Sequence, residues 1–467
     1  MAEAPKFGLD FKNAWTVLKD GEADQVMAMG EKYKLFLDAS KTERTCSKEI
    51  VRLALENGYK SLDAAIAKGE MIQAGDKFYA VNRDKAVILF VMGEKSVKEG
   101  LRILGAHIDS PRIDLKPIPL YEDTDLALFK THYYGGIKKY QWTSIPLSLY
   151  GTVIKADGTK VDIAIGDNDN DPIFFITDLL PHLAKDQVAK TLAEGISGEE
   201  LNLLVGSRPM ENTEEKEKVK ANILALLNET YGITEEDFIS AEFEVVPAGK
   251  ARDTGFDRSM ITGYGHDDRV CSYAALKAIL EIEKPMNTAV AMFMDKEEIG
   301  SVGNTGSESL YFENLVAELI NLQEGGYNEL HLRRCFTATK VLSADVNAAF
   351  DPTFASVLDK KNAVRIGYGI GLTKYTGTRG KGGCSDANAE FVGEIRNLFN
   401  ANDVAWQIGE LGKVDQGGGG TIAFILANRG AEVLDCGVGV LSMHGPYEVI
   451  SKVDLYMAYK GYKAFVG

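Results

Sequence analysis

The chain has 467 residues, 45% hydrophobic and 26% charged, the proportions of a soluble globular protein and not of a disordered, collagenous or disulfide-stapled chain. Its 52 basic against 68 acidic residues leave a formal charge of −16. Nucleic acid and anionic membrane both call for a basic face, so no nucleic acid and no membrane is expected as principal partner.

The opening stretch, MAEAPKFGLDFKNAW, has no apolar core of signal-peptide length, and no window approaches the ~18 apolar residues of a membrane span. Residues 11–70 are expected to be helical, with apolar positions such as Ile50, Leu53, Ala54 and Tyr59 recurring at three and four. FYAVNRDKAVILFVMG reads as two strands joined at Asn82-Arg83-Asp84. Short apolar runs then end in polar clusters. ILGA precedes His107, AVAMFM precedes Asp295-Lys296-Glu297-Glu298, VLSA precedes Asp345, and VLDCGVGVLSM precedes His444. Such continuous runs are typical of strands covered on both faces. Helical stretches lie between them, as in VCSYAALKAILEIE and DANAEFVGEIRNLFN, so the expected fold is α/β with a mostly parallel central sheet.

Residues 118–250 differ in texture, with short strand-like pieces (SLYGTVIKA, VDIAIG) and a charged helical block around 211–230. They are read as a β-rich domain inserted into an α/β domain made of 1–117 and 251–467. Cys46, Cys271, Cys335, Cys384 and Cys436 are odd in number, far apart and form no CxxC, which fits a reducing, cytoplasmic location.

Three motifs carry little. GDNDNDP (Asp167, Asp169, Asp171) imitates a calcium loop, but Pro172 stands where Gly is needed and Asp178 where Glu is needed, leaving a solvated turn. GVGVLS has Ser442 in place of the third glycine of a dinucleotide fingerprint. GGGGT at 417–421 lacks the lysine of a phosphate loop, so its glycines serve a turn or a close approach to a ligand.

The stronger signal is distributed. Only six histidines are present, and two of them, His107 and His444, directly follow apolar runs. The other candidates are carboxylates: Asp109, Asp267, Asp268, Glu297, Glu298 and Asp345. Sites in open α/β sheets form beyond the carboxyl ends of the strands, so these clusters can converge. Singly, each carboxylate is an ordinary cap or turn residue. Together, without a cation, they would be costly to bury. Two histidines and three carboxylates suit zinc, and a bridging carboxylate can hold two ions about 3.5–4 Å apart. Asp109, close to His107, could orient it. Periodicity alone does not order the Glu297–Glu298 doublet into general base and ligand.

AHIDSPRIDLKP, GHDDR, DKEEIGS, SAD and MHGPYE, in this order, resemble the M18 metallo-aminopeptidases, the group of aspartyl aminopeptidases and yeast-type vacuolar aminopeptidase I. DDRVCSYAAL and RGKGGCSDANAEFVGEIR look like its bacterial branch. The resemblance implies a di-zinc exopeptidase fold with an inserted dimerisation or lid domain. It also implies a homo-oligomer, a tetrahedral dodecamer, that removes N-terminal residues from peptide substrates. By the same resemblance His107, Asp267 and Asp345 hold one zinc ion, and Asp267, Glu298 and His444 the other. Asp267 is then the bridge, Glu297 the general base and Asp109 its supporting carboxylate. The same ligands also accept cobalt or manganese. Lys374, in GLTKYTG, matches the lysine that faces acidic substrate side chains. Two departures bear on substrate preference. Ala348 stands where a family histidine follows the metal aspartate, and FFITDLLPHL offers Asp178 and His182 where an inserted-domain histidine is often found. The rival readings are an N-acyl-amino-acid deacylase on the same scaffold and a non-catalytic assembly protein that retains its metals.

Overall fold

The computed structural model describes residues 8–377 and 379–467; residues 1–7, the start of the stretch inspected for a leader, lie outside them. The N-terminal helices are Glu22–Ala39, Glu43–Glu56 and Leu62–Lys68. Thr42 caps the second, its hydroxyl accepting from the Thr45 N–H. No described helix is long and apolar enough to cross a membrane.

A nine-stranded mixed sheet forms the centre. Its middle is parallel: Ala289–Met294, Arg102–His107, Lys340–Ser343 and Glu432–Gly437 lie side by side in that order. The expected hairpin, Lys77–Asn82 with Ala86–Val91, is antiparallel and turns through Arg83 and Asp84, both in the left-handed region. The unbroken apolar runs are explained by the two-residue period of a strand. Val87, Leu89 and Val91 enter the core on one face, and Ala86, Ile88 and Phe90 the core on the other. Ala289–Met294 divides the same way, with Phe293 on one side and Met292 and Met294 on the other. Each large apolar side chain so buried stabilises the fold by about 1.5–3 kcal/mol relative to exposure.

A second sheet of seven strands, antiparallel throughout, spans Arg112–Asp123 to Ala241–Pro247. It has its own core around Trp142, Ile113, Leu149, Phe238 and Val245. Its first strand runs unbroken across the 117/118 division expected from composition, and so leaves directly from the loop after His107 that carries Asp109. A third sheet, of five strands, includes Met260–Gly263, Glu448–Ser451 and Gly439–Leu441. The run VLDCGVGVLSM, read as one strand, is therefore two. Glu432–Gly437 ends the central sheet and Gly439–Leu441 begins again in the third. GDNDNDP is a turn, as expected. Asp171 accepts from the Gly166 and Asn168 N–H groups, and Asp167 from Ser148 and the Gly249 N–H.

Candidate metal centre

The parallel strands deliver their chemistry at one edge. His107 ends its strand, and Glu297 and Glu298 follow Ala289–Met294 on a short turn. Asp345 lies two residues past Lys340–Ser343. Asp267 comes instead from the kink that follows the third-sheet strand Met260–Gly263, where its φ and ψ (−81°, 107°) are not helical, and His444 from the loop after Gly439–Leu441.

These residues converge on Asp267. Its Oδ1 lies 3.2 Å from His107 Nε2 and its Oδ2 lies 3.2 Å from His444 Nε2. Asp345 Oδ1 is 3.8 Å from His107 Nε2, and Glu298 Oε2 is 3.5 Å from His444 Nε2. Two triads result, His107–Asp267–Asp345 and Asp267–Glu298–His444, each with one donor atom per residue within 4.8 Å of the others. Glu297 Oε2 stands 3.9 Å from His107 Nε2 and belongs to neither triad.

A main-chain carbonyl fixes Nδ1 of each imidazole as a donor, so Nε2 is the nitrogen that faces Asp267. His107 Nδ1 donates to the Asp109 carbonyl at 3.0 Å, with the Asp109 carboxylate 3.3 Å away. His444 Nδ1 donates to the Gly136 carbonyl at 2.9 Å. A carbonyl can only accept, so the proton sits on Nδ1 in each ring. Asp109 also accepts the main-chain N–H groups of Glu297 and Glu298, at 3.1 and 3.2 Å, and the Tyr134 hydroxyl at 2.8 Å. It thus orients His107 and pins the glutamate doublet at once.

The electrostatics fit a cation. Burial works to lower the His107 and His444 pKa values. Contacts with Asp109 and Asp267 nevertheless hold His107 well above its usual range, and Asp267 and Glu298 raise His444 to about 10. Burial likewise pushes Asp345 and Glu298 up, and Glu297 to about 7. Asp267 and Asp109 move down: burial opposes their ionisation, but the two imidazoles outweigh it at Asp267, and His107 and the Tyr134 hydroxyl at Asp109. Glu298 Oε1 is buried with no hydrogen-bond partner among the described residues. An orphaned carboxylate oxygen, two imidazole Nε2 atoms and further buried carboxylates form a donor set that zinc would satisfy on displacing the imidazole protons.

Beside this cluster opens a cavity of about 1000 Å³. Phe354, Val357, Leu358, Leu411, Phe424 and Met443 give it an apolar lining, and Gly418, Gly419 and Gly420 line it as well. Gly417 serves a close approach, since an added Cβ would lie 1.9 Å from the Leu411 carbonyl oxygen. Ala348 lines the cavity; Lys374 does not. Lys374 is exposed and lines a separate cavity of about 160 Å³ with Tyr375 and Glu410. Asp178 and His182 are exposed on the seven-stranded sheet's side, Asp178 accepting from the Leu179 N–H and Gln187. Asp268 is buried behind the cluster and accepts the His107 N–H at 3.3 Å. His266 is held by Tyr33 and the Ile261 carbonyl, a structural contact.

Tyr134, Gly136 and Lys138, which the sequence did not single out, reach the site from the seven-stranded sheet, Gly136 and Lys138 lining the cavity. A tyrosine, a carbonyl and a lysine more than twenty residues from His107 carry no local signal. Only the pairing of Arg112–Asp123 with Leu126–Tyr134 brings them there.

The sequence matches, over residues 36–466, the family described as Aminopeptidase I zinc metalloprotease (M18). A probable M18 family aminopeptidase 1 of Clostridium acetobutylicum is 52% identical over 457 residues, covering 98% of each chain. The crystal structure of an M18 family aminopeptidase from Thermotoga maritima superposes with a TM-score of 0.93 at 46% identity, over 98% of this chain and 99% of that one. The fold extends to the dodecameric mApe1 of S. cerevisiae, at 19% identity, TM-score 0.73, and coverage of 94% and 96%. The chain therefore belongs to the M18 family and is an enzyme of the zinc metalloprotease, aminopeptidase type.

Proposed function

We propose that the chain is a di-zinc aminopeptidase that removes single residues from the free N-terminus of short peptides. One observation carries this reading: the two oxygens of Asp267 face two different histidines at 3.2 Å each, the disposition of a bridging ligand. His107 and Asp345 would complete one zinc position, Glu298 and His444 the other; cobalt or manganese would also suit these donors. When bound, the ions would supply Lewis-acid polarisation of the scissile carbonyl and a lowered pKa for water. Glu297 is free of both triads and its carboxyl is raised to about 7. It is poised to take a proton from the attacking water and give it to the leaving amine. Asp109 holds its main chain in place while it does so.

The apolar lining of the large cavity favours a neutral N-terminal side chain. Lys374, on which an acidic preference would rest, lines another, smaller cavity. We further propose that residues 118–250 form a dimerisation and lid domain on the catalytic body of 1–117 and 251–467, within a dodecamer like that of mApe1. Five unpaired cysteines, four of them buried, favour a cytoplasmic setting.

The test is a panel of aminoacyl substrates assayed beside metal analysis of the same sample. Two zinc ions per chain, activity lost to a chelator and restored by zinc, and hydrolysis of free-amine but not N-acetylated peptides are expected. Cleavage of the N-acetylated peptides alone would make the chain a deacylase. A metal-loaded but inert protein would make it an assembly protein.

A further inference from the structure

Glu448 ends the MHGPYE motif, belongs to neither triad and has no part in the chemistry above. It is 1% exposed and opens the strand Glu448–Ser451, which pairs with Met260–Gly263, the strand leading into the Asp267 kink. Its carboxylate is divided between two residues. Oε2 accepts the main-chain N–H of Asp267 at 3.0 Å, and Oε1 accepts the main-chain N–H of His444 at 2.7 Å. Both donors need such a partner. Asp267 has non-helical φ and ψ (−81°, 107°) at a kink, so no helical ladder serves its buried N–H. His444 has a φ of 63°, a conformation uncommon for a residue with a side chain and kept only where the surroundings enforce it. The side chains of these same two residues face each other across 3.2 Å.

We propose that Glu448 is a positioning residue that ties the bridging aspartate and the second histidine into one rigid unit, so that the zinc ligands are set before the metal arrives. The inference rests on the metal centre proposed above. A carboxylate that merely filled space would need only one partner. Here each oxygen serves a different ligand, and the link joins a kink to a loop across two strands of the third sheet. Glutamine fits the same volume, but it has one acceptor oxygen and sets its amide N–H groups against the other main-chain donor.

Zinc titration of chelator-stripped wild type and Glu448→Gln, by competition with a chromogenic chelator, tests the proposal. The variant should bind at least one of two zinc equivalents about 10–100-fold more weakly, the usual effect of losing a partner behind a metal ligand. Excess zinc should restore its turnover, because every ligand side chain is intact; a general packing defect would not respond to zinc. Wild-type affinity for both equivalents, or a loss of turnover that zinc does not repair, would overturn the proposal. Should the variant fail to fold, hydrogen exchange on the wild type decides. The Asp267 and His444 amides should stay protected after zinc is stripped. Their rapid exchange in the stripped protein would show that the metal, not Glu448, holds them. Wild type that binds no zinc would instead refute the metal centre itself, an outcome separate from all of these.

Discussion

Glu297 and Glu298 are neighbours with the same chemistry, held by the same Asp109 carboxylate, and their surroundings separate them. Glu298 Oε2 reaches toward His444 within a triad, and its Oε1 is an orphan; Glu297 stands outside both triads. Glu297→Gln should therefore keep both metals and bind substrate analogues, while kcat falls by roughly 10²–10⁴, as when a general acid–base group is lost. Glu298→Gln should shed metal. Metal content and kcat on both variants check the order, and near-normal turnover in Glu297→Gln would refute it. Lys374 gives the opposite kind of prediction. Because it lines the smaller cavity, Lys374→Ala should leave the ratio of leucyl to aspartyl substrate rates unchanged. A selective loss on aspartyl and glutamyl substrates would bring back an acidic pocket. The family motif could suggest a lysine at this place but not which cavity it lines.

Elements were legible in the sequence where one face or both had to be buried. Ala86–Val91 and Ala289–Met294 read as covered strands because every residue is apolar, and each strand feeds two cores. Strand-end histidines and carboxylates stood out for the same reason, as polar groups directly after an apolar run. Two features stayed hidden. The first is Tyr134 and Gly136, brought back beside Arg112 by a long hairpin whose register, shifted between Leu115 and Leu120, hydropathy does not mark. The second is the break within VLDCGVGVLSM, which hydropathy cannot mark. Gly437 shows what the break serves. A Cβ there would lie 1.8 Å from the Asp345 carbonyl oxygen, so only glycine lets the strand pass against the backbone of a ligand residue. Gly437→Ala should displace Asp345, cost about 1–3 kcal/mol as overpacking does, and lower zinc occupancy of the His107–Asp345 position. A lowered Tm with full zinc content would confine the effect to packing; an unchanged Tm and zinc content would contradict it.

At the scale of the whole molecule, the segment after the Phe175–Ile176 strand exposes Leu179, Leu180, Leu183, Val188 and Leu192, more large apolar groups than a free surface usually gathers. Light scattering at micromolar concentration should find an oligomer, and a monomer would contradict the proposed role of residues 118–250. Zinc itself links the site to the stability of the fold. In zinc-stripped protein the Asp267 and Glu298 carboxylates raise His444 to about 10, and Asp109 and Asp267 raise His107 well above its ordinary value. Zinc takes only the neutral imidazole, so its uptake at neutral pH must release protons. The sign for stability follows from linkage. A raised histidine stabilises the empty fold below its ordinary pKa, and this contribution disappears as pH climbs through the raised value. Glu297, raised to about 7, likewise favours the empty fold only while it is neutral, and loses that contribution as pH passes about 7. The lowered Asp267 carboxyl acts only in acid, below its ordinary range. From about pH 6 to about pH 9 the empty fold therefore weakens while protons compete less with zinc. The gap in Tm between zinc-loaded and stripped protein should widen across that interval. Calorimetric zinc titrations at neutral pH should show a binding enthalpy that depends on the ionisation enthalpy of the buffer, in the direction of proton release. A Tm gap that narrows with rising pH, or an enthalpy indifferent to buffer, would mean that the two imidazoles are already neutral in the empty site and that Asp267 does not hold their protons.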